Sequence, residues 1–285
     1  MRGSYRLKRT LSWISDKRMR RKAMSQIRHF PTIKAGRAHG LSRPLFVTLT
    51  SYPPRFLHLS KTLKSLLDQT VQADGVMLWI AEADFDLLPK DVLALQSYGV
   101  EIRVTKDIKS YKKLVPALQE NLERNYVTAD DDIYYPPNWL EALVQTSKAN
   151  PNCVVAGRVH LAPITEKGHF TRYRDWTLAT HLTEAPSQKT RLFPTGVGGV
   201  LYPPHTFDPQ VLDESLFMRL APRGDDIWFF WMARLNNKRQ IKAQIEFKII
   251  DWPNTQDVAL YNDNLHGDGN DKQIEAMSNH FGPVP

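Results

Sequence analysis

From residue 44 to residue 130 the chain alternates short, apolar, β-branched runs with stretches whose leucines recur every three or four positions, and few folds accommodate that alternation. Leu45-Phe46-Val47-Thr48-Leu49-Thr50 reads as a buried strand. Ser51-Tyr52-Pro53-Pro54 ends it, because proline brings no N–H to a ladder. Phe56, Leu59, Leu63, Leu66 and Leu67 then mark one face of a helix. Val76–Ile80 predicts a second strand, Val92–Tyr98 a short helix closed by Gly99, and Val100–Thr105 a third strand. Leu114–Leu122 predicts a helix with Pro116 in its first turn, and Tyr126–Ala129 a fourth strand. Strand and helix at this spacing mean βαβ units and a mostly parallel α/β sheet. In such sheets ligands bind beyond the carboxyl ends of the strands. Thr50-Ser51-Tyr52, Lys106-Asp107 and Asp130-Asp131-Asp132 all lie at such ends and should share one crevice.

Beyond Pro151 the pattern loosens. Cys153–Ala156 predicts a strand, whereas residues 158–192 show no period. Thr195–Tyr202 is a Gly-rich turn entering a strand, Asp225–Leu235 an aromatic-dense helix and Ile241–Ile250 a long strand. The last thirty residues are polar.

Charge divides the chain differently. Of 38 Lys and Arg, 13 fall in residues 1–43 beside a single acid, Asp16, so that segment carries +12. The remaining 25 basic and 29 acidic residues give −4. The expected organisation is a basic N-terminal extension, 1–43, and a catalytic domain, 44–285, with a nucleotide-binding half at 44–150 and an acceptor-binding half at 151–285. Leu7, Leu11, Trp13, Ile14 and Met19 sit among the basic residues at helical spacing, which suits peripheral contact with an anionic membrane or a solvated terminus. The acidic remainder offers no second basic face, which argues against nucleic acid. One cysteine, Cys153, excludes a disulfide scaffold, and no run is long enough to span a bilayer. A cytoplasmic setting is expected.

Three adjacent carboxylates repel unless something neutralises them, and oxygen-only donors suit Mg²⁺ or Mn²⁺. Alternation along a strand would put Asp130 and Asp132 on one side and Asp131 on the other. The run Val127-Thr128-Ala129-Asp130-Asp131-Asp132-Ile133-Tyr134-Tyr135-Pro136 resembles the acidic, metal-binding motif of GT-A fold glycosyltransferases, most nearly family-2-like enzymes of bacterial capsule and lipopolysaccharide assembly. The resemblance extends over most of residues 44–250, including Thr48–Pro53 and Asp107–Leu114. It implies a Rossmann-like GT-A fold and a UDP-sugar donor. It also implies nucleotide contacts from Thr50, Ser51, Arg55, Asp107, Lys109, Lys112, Asp130 and Asp131, with Lys113 a further candidate. Asp130 would face the ribose, and Asp132 would ligate a divalent cation with help from Asp130. A late histidine, His266, would be a further ligand or simply face solvent.

Arg223-Gly224-Asp225-Asp226-Ile227-Trp228 supplies a second acidic pair. An inverting sugar transfer needs a carboxylate to take the acceptor hydroxyl's proton, and a helix N-terminus keeps a carboxylate ionised. Asp226 is read as that base and Asp225 as an acceptor contact; the reverse assignment, or a helix cap, is the alternative. Gly198 and Gly199 either let the backbone approach the donor sugar or make a tight turn. The functional expectation is a metal-dependent glycosyltransferase acting on a hydroxyl of a surface glycan or lipid-linked glycan. The alternatives are a sugar-phosphate nucleotidyltransferase, though its usual Gly-rich basic loop is missing after the first strand, and a non-catalytic membrane- or nucleic-acid-binding module driven by the tail.

Overall fold

A computed structural model describes residues 17–246, 248–252 and 269–285. In chain order the strands are β1 (Arg37–Ala38), β2 (Leu45–Thr50), β3 (Val71–Gln72), β4 (Gly75–Ala81), β5 (Val100–Thr105), β6 (Asn125–Thr128), β7 (Val154–Ala156), β8 (Val159–Pro163), β9 (Thr190–Pro194), β10 (Val200–Tyr202) and β11 (Gln240–Lys242). The α-helices are α1 (17–28), α2 (Phe56–Leu67), α3 (Lys90–Leu93), α4 (Val115–Glu120), α5 (Trp139–Ala149), α6 (Glu214–Leu220), α7 (Asp225–Leu235) and α8 (Gly269–Phe281).

Seven strands form the central sheet in the order β11-β7-β10-β6-β2-β4-β5. Pairing is parallel except on both sides of β10, which runs against β6 and β7. β8 and β9 make a separate antiparallel hairpin. The fold is therefore α/β, with a mostly parallel, Rossmann-like sheet covered by helices on both faces. Residues of β2 alternate between two cores: Leu45, Val47 and Leu49 face the one built by α2, α3 and α5, while Phe46 faces the one built by α4, α6, α7 and α8. A strand covered twice has to be apolar throughout, which is why β2 and β4 show unbroken hydrophobic runs. Helix α7 is buried from Ile227 to Ala233, so its aromatic residues are core.

Three sequence expectations change. Part of the basic extension is folded onto the rest of the protein rather than solvated: Ala23 and Ile27 of α1 pack on Tyr134, Ile250 and Trp252, and Arg20 pairs with Asp251 at 2.6 Å. The long strand expected over Ile241–Ile250 stops at Lys242, because its partner β7 ends at Ala156 and Gly157 turns away. The aperiodic 158–192 segment contributes most of the hairpin, and the polar C-terminus contributes α8, which buries Ile274 and Met277. Gly99 behaves as expected, closing its helical turn at φ +103°. No helix among the described residues is long and apolar enough to cross a membrane.

Candidate active site

The carboxyl ends of β2, β4, β5 and β6 open into a cleft of about 940 Å³. Its lining includes Thr50, Ser51, Arg55, Asp107, Lys109, Lys112, Asp130, Asp131, Asp132, Asp225 and Asp226. The two acidic motifs, nearly a hundred residues apart in sequence, therefore share one cavity.

The triple aspartate does not follow strand alternation. β6 ends at Thr128, so residues 130–132 form a turn, and the turn regroups them. Asp131 accepts from Ser51 Oγ at 2.5 Å and from Arg55 Nη1 at 2.9 Å. The same Arg55 nitrogen lies 2.5 Å from Asp132 Oδ2. Asp130 points elsewhere, to Lys113 Nζ at 3.0 Å. Burial pushes Asp131 and Asp132 up, Asp132 to about 7, with repulsion from neighbouring carboxylates adding to the rise and Arg55 opposing it. Burial also works against the guanidinium's charge, yet Asp131 and Asp132 more than offset it, and Arg55 holds its proton more tightly than usual.

Lys113 ties the two motifs together. Its Nζ is 3.0 Å from Asp130 Oδ1 and 2.9 Å from Asp225 Oδ2. Burial alone would strip its proton, but Asp130, Asp225 and Asp226 raise its pKa well above the ordinary lysine value. Asp226 accepts from the Gly196 N–H at 3.0 Å. Burial, and then repulsion from Asp225, push Asp226 up, while Lys113 pulls it down. Gly196 marks the junction: a side-chain carbon there would lie 3.1 Å from both Asp226 Oδ1 and Lys113 Nζ, and 3.3 Å from Asp130 Oδ1.

Other expected residues take structural contacts as well as lining the cleft. Thr50 Oγ1 donates to the Trp79 carbonyl at 2.8 Å. Lys112, which a solvated helix face would have left exposed, is buried and paired with Asp107. The Lys109 N–H bonds Asp107 at 3.0 Å, in a turn that gives Lys109 a φ of +57°. Gly198 and Gly199 are not part of the lining. They are pressed against Trp139, whose Nε1 donates to Gly198 O at 2.8 Å, and a side-chain carbon on Gly199 would meet Trp139 Cζ2 at 2.3 Å. His266 lies outside the described residues.

Sequence reasoning overlooked much of the far wall. Arg158, His160, Tyr173 and Phe193 line it, all from or beside the aperiodic segment, with Arg223, Asp251 and Asn270. The aromatic groups lining the cavity are thus Tyr52, Tyr173 and Phe193, while Trp228 to Trp231 stay in the core. His160 is buried, and its Nδ1 accepts from the Ala179 N–H at 3.0 Å. Burial, with Arg158 adding to it, drives its pKa down to about 3.

No protein-family model matches the chain, and no curated protein matches it. Among solved structures, residues 1–349 of S. aureus TarS in complex with UDP align with a TM-score of 0.50 at 14% identity, over 72% of this chain and 59% of that one. The chain thus spans about three fifths of that structure. At this identity the likeness is one of fold. A CMP:2-keto-3-deoxy-manno-octonic acid synthetase complexed with CTP aligns at TM-score 0.39 and 13% identity, over 76% of this chain and 94% of that one. The glucosyl-3-phosphoglycerate synthase of Mycobacterium tuberculosis, solved with Mn²⁺, UDP and glucosyl-3-phosphoglycerate, aligns at TM-score 0.32 and 14% identity, over 40% and 43%. Both scores are too low to argue from.

A divalent cation is the group the acidic turn suggests. Mg²⁺ and Mn²⁺ are held by one or two carboxylates, with substrate phosphates and water completing the shell. Asp130 and Asp132 both line the cleft and provide that donor chemistry. Among the described residues no group of three or more His, Cys, Asp or Glu is gathered to hold a metal without substrate oxygens.

Proposed function

We propose that the protein is a nucleotide-sugar-dependent glycosyltransferase that moves a sugar from a nucleoside diphosphate, a UDP-sugar in the first instance, to an acceptor hydroxyl. The observation that carries the reading is the junction at Gly196, where Asp130 of the first acidic motif, Asp226 of the second and Lys113 between them meet within one cleft. The nucleoside would lie over Thr50, Ser51 and Arg55 at the end of β2, with its diphosphate towards Asp130 and Asp132. A divalent cation on those two carboxylates would offset charge on the departing diphosphate.

The chain's own residues account for the rest. Asp226 would take the acceptor proton as the acceptor oxygen bonds the anomeric carbon and the bond to diphosphate breaks, an inverting displacement. Burial and Asp225 push its pKa up to about 7, which makes it a stronger base than an exposed aspartate once ionised, and Lys113 opposes that rise. Asp225 would remain paired with Lys113. Tyr173 and Phe193 offer apolar faces to sugar rings in the acceptor half. A bacterial surface or lipid-linked glycan remains the proposed acceptor, with residues 1–43 drawn to the anionic leaflet where such acceptors reside.

The test is a donor screen with nucleotide release as the readout, with and without Mn²⁺, on the intact chain and on Asp226→Asn. Release from a UDP-sugar that Asp226→Asn cuts by about 10² to 10⁴ supports the reading. Diphosphate release from a nucleoside triphosphate and a sugar phosphate, with no UDP-sugar turnover, would replace it with nucleotidyl transfer.

A further inference from the structure

Tyr134 and Tyr135 are adjacent, yet their side chains join different cores. Tyr134 packs under α1 with Ala23, Ile27, Ile250 and Trp252, and its hydroxyl donates to Gln26 Oε1. Tyr135 turns inward and is fully buried, its ring 4.4 Å from that of Trp139 at the start of α5. Side chains in and just after α2 pin its main chain: the Tyr135 N–H donates to Ser65 Oγ at 3.1 Å, and Gln69 Nε2 donates to the Tyr135 carbonyl at 3.4 Å.

The Tyr135 hydroxyl reaches the place where the two halves of the cleft join. It accepts from the Asp130 N–H at 2.8 Å and donates to the Val197 carbonyl at 3.4 Å. One oxygen atom thus links the acidic turn after β6 to the turn that leads into β10. The residue before Val197 is Gly196, whose N–H holds Asp226 at 3.0 Å. Trp139 braces the same turn, donating from Nε1 to Gly198 O at 2.8 Å, so consecutive carbonyls there are fixed from the segment that follows the acidic turn. Lys113 also joins the two sides, but it does so through charge at the end of a flexible aliphatic stem. A buried phenol ring has little torsional freedom and sets a spacing.

We propose that Tyr135 is a positioning residue for sugar transfer, its hydroxyl setting the spacing between Asp130 on the donor side of the cleft and the base Asp226. The inference rests on the reading of the cleft given above for its chemistry, and on the two hydrogen bonds for its geometry. Tyr135 is not part of the cleft lining, so it acts through the turns it joins. Without the hydroxyl, the Asp130 N–H and the Val197 carbonyl lose that partner and the two turns are free to shift against each other. The donor keeps its contacts at Thr50, Ser51 and Arg55. What suffers is the alignment of the base with the acceptor and the anomeric carbon.

Tyr135→Phe keeps the ring and its packing and deletes the hydroxyl alone. Tyr134→Phe is the control, since it removes the neighbouring hydroxyl, whose partner Gln26 is not in the cleft lining. Both are made in the full chain, and melting curves check that both fold. The readouts are UDP release from the UDP-sugar that the donor screen selects, UDP binding in calorimetry, and amide hydrogen exchange over residues 195–199. Tyr135→Phe should lower kcat by about tenfold or more, keep donor KM and UDP affinity within about threefold, and speed exchange at 195–199. Tyr134→Phe should change kcat by less than about twofold and leave that exchange as it is. A merely structural Tyr135 would lower the melting temperature and leave kcat alone. A kcat within about twofold of wild type in folded Tyr135→Phe, or an equal loss in Tyr134→Phe, overturns the inference. If the wild-type chain releases no UDP, the transfer reading fails on its own and exchange decides the link: faster exchange at 195–199 in Tyr135→Phe supports it, and unchanged exchange overturns it.

Discussion

Replacing His160 with asparagine should flatten the acid limb of the protein's stability profile, and the size of the effect follows from its burial. His160 is 2% exposed. Burial, helped by the nearby Arg158 charge, lowers its pKa to about 3 in the fold, against an ordinary value near 6.5. The unfolded chain therefore takes up a proton below pH 6.5 that the folded chain refuses. The stabilisation is whole above pH 6.5 and is lost as pH falls from there towards 3. At pH 5 the loss is about 2 kcal/mol, from 1.36 kcal/mol per unit of separation. Asparagine can present its carbonyl oxygen where Nδ1 now accepts from the Ala179 N–H, but it takes up no proton. Losing the edge contact with Tyr173 lowers stability equally at every pH, so the slope carries the information and the offset does not. Urea unfolding of both proteins between pH 5 and 7.5 is the assay. The difference in unfolding free energy should change by roughly 2 kcal/mol across that range, in favour of the variant at low pH. Parallel profiles would mean that His160 is solvated or already charged, and the account of the far wall would be wrong.

Four further outcomes follow from the same geometry. Lys113→Met should leave Asp130, Asp225 and Asp226 without their shared cation and cost roughly 3–5 kcal/mol in urea unfolding, as removal of one partner from a buried ion pair does; a loss under about 1 kcal/mol would show the network to be solvated. Gly196→Ala should keep the fold yet lower UDP-sugar turnover at least about tenfold, because its methyl would crowd Asp226, Lys113 and Asp130; unchanged turnover would remove the junction from the chemistry. Gly199→Ala should instead act on stability, by roughly 2–4 kcal/mol in thermal unfolding, since its methyl would meet the Trp139 ring and its φ is +78°. Asp132→Ala should abolish the Mn²⁺ dependence of UDP binding in calorimetry, and a UDP affinity still enhanced by Mn²⁺ would take Asp132 out of the cation site.

How much of this was legible in the sequence depended on whether the information was local. Strands β2 and β5 start and stop where the sequence pattern does, and β4 and β6 do so within a residue or two; β2, β4 and β6 are buried on both faces and so nearly apolar throughout, whereas the edge strand β5 alternates apolar residues with Glu101 and Arg103. The β8–β9 hairpin carried no such signal: β8 is Val-His-Leu-Ala-Pro and β9 is Thr-Arg-Leu-Phe-Pro, each short and closed by proline, with their pairing set by a long intervening segment. Helix α8 buries only Ile274 and Met277 of its apolar residues, and Asn270 and Asp271 at its start read equally well as loop. At the site, the residue types were legible and their grouping was not. Alternation joined Asp130 to Asp132; the turn after Thr128 instead gave Asp131 and Asp132 to Arg55 and Asp130 to Lys113. Lys112 and Lys113 read as alternative candidates for the nucleotide, and both are buried, each against a different carboxylate.

The meeting of the two acidic motifs has a topological cause that lies in β10. Because β10 runs antiparallel to β6, with Val200 opposite Thr128 and Tyr202 opposite Tyr126, it begins where β6 ends. The turn that leads into it, residues 195–199, therefore lies beside the Asp130 end of β6. A parallel β10 would have started beside Asn125, at the other edge of the sheet, and left the acidic turn without a neighbour from the second half of the chain. Once Gly196 is fixed beside Asp130, its N–H can hold Asp226, and Asp225 comes within reach of Lys113. Glycine at 196 lets carboxylates from the turn after β6 and from α7 and the Lys113 ammonium close in on the backbone at one point, where any side chain would press on all three. The reversed strand is thus what turns two distant acidic sequences into the two walls of a single cleft.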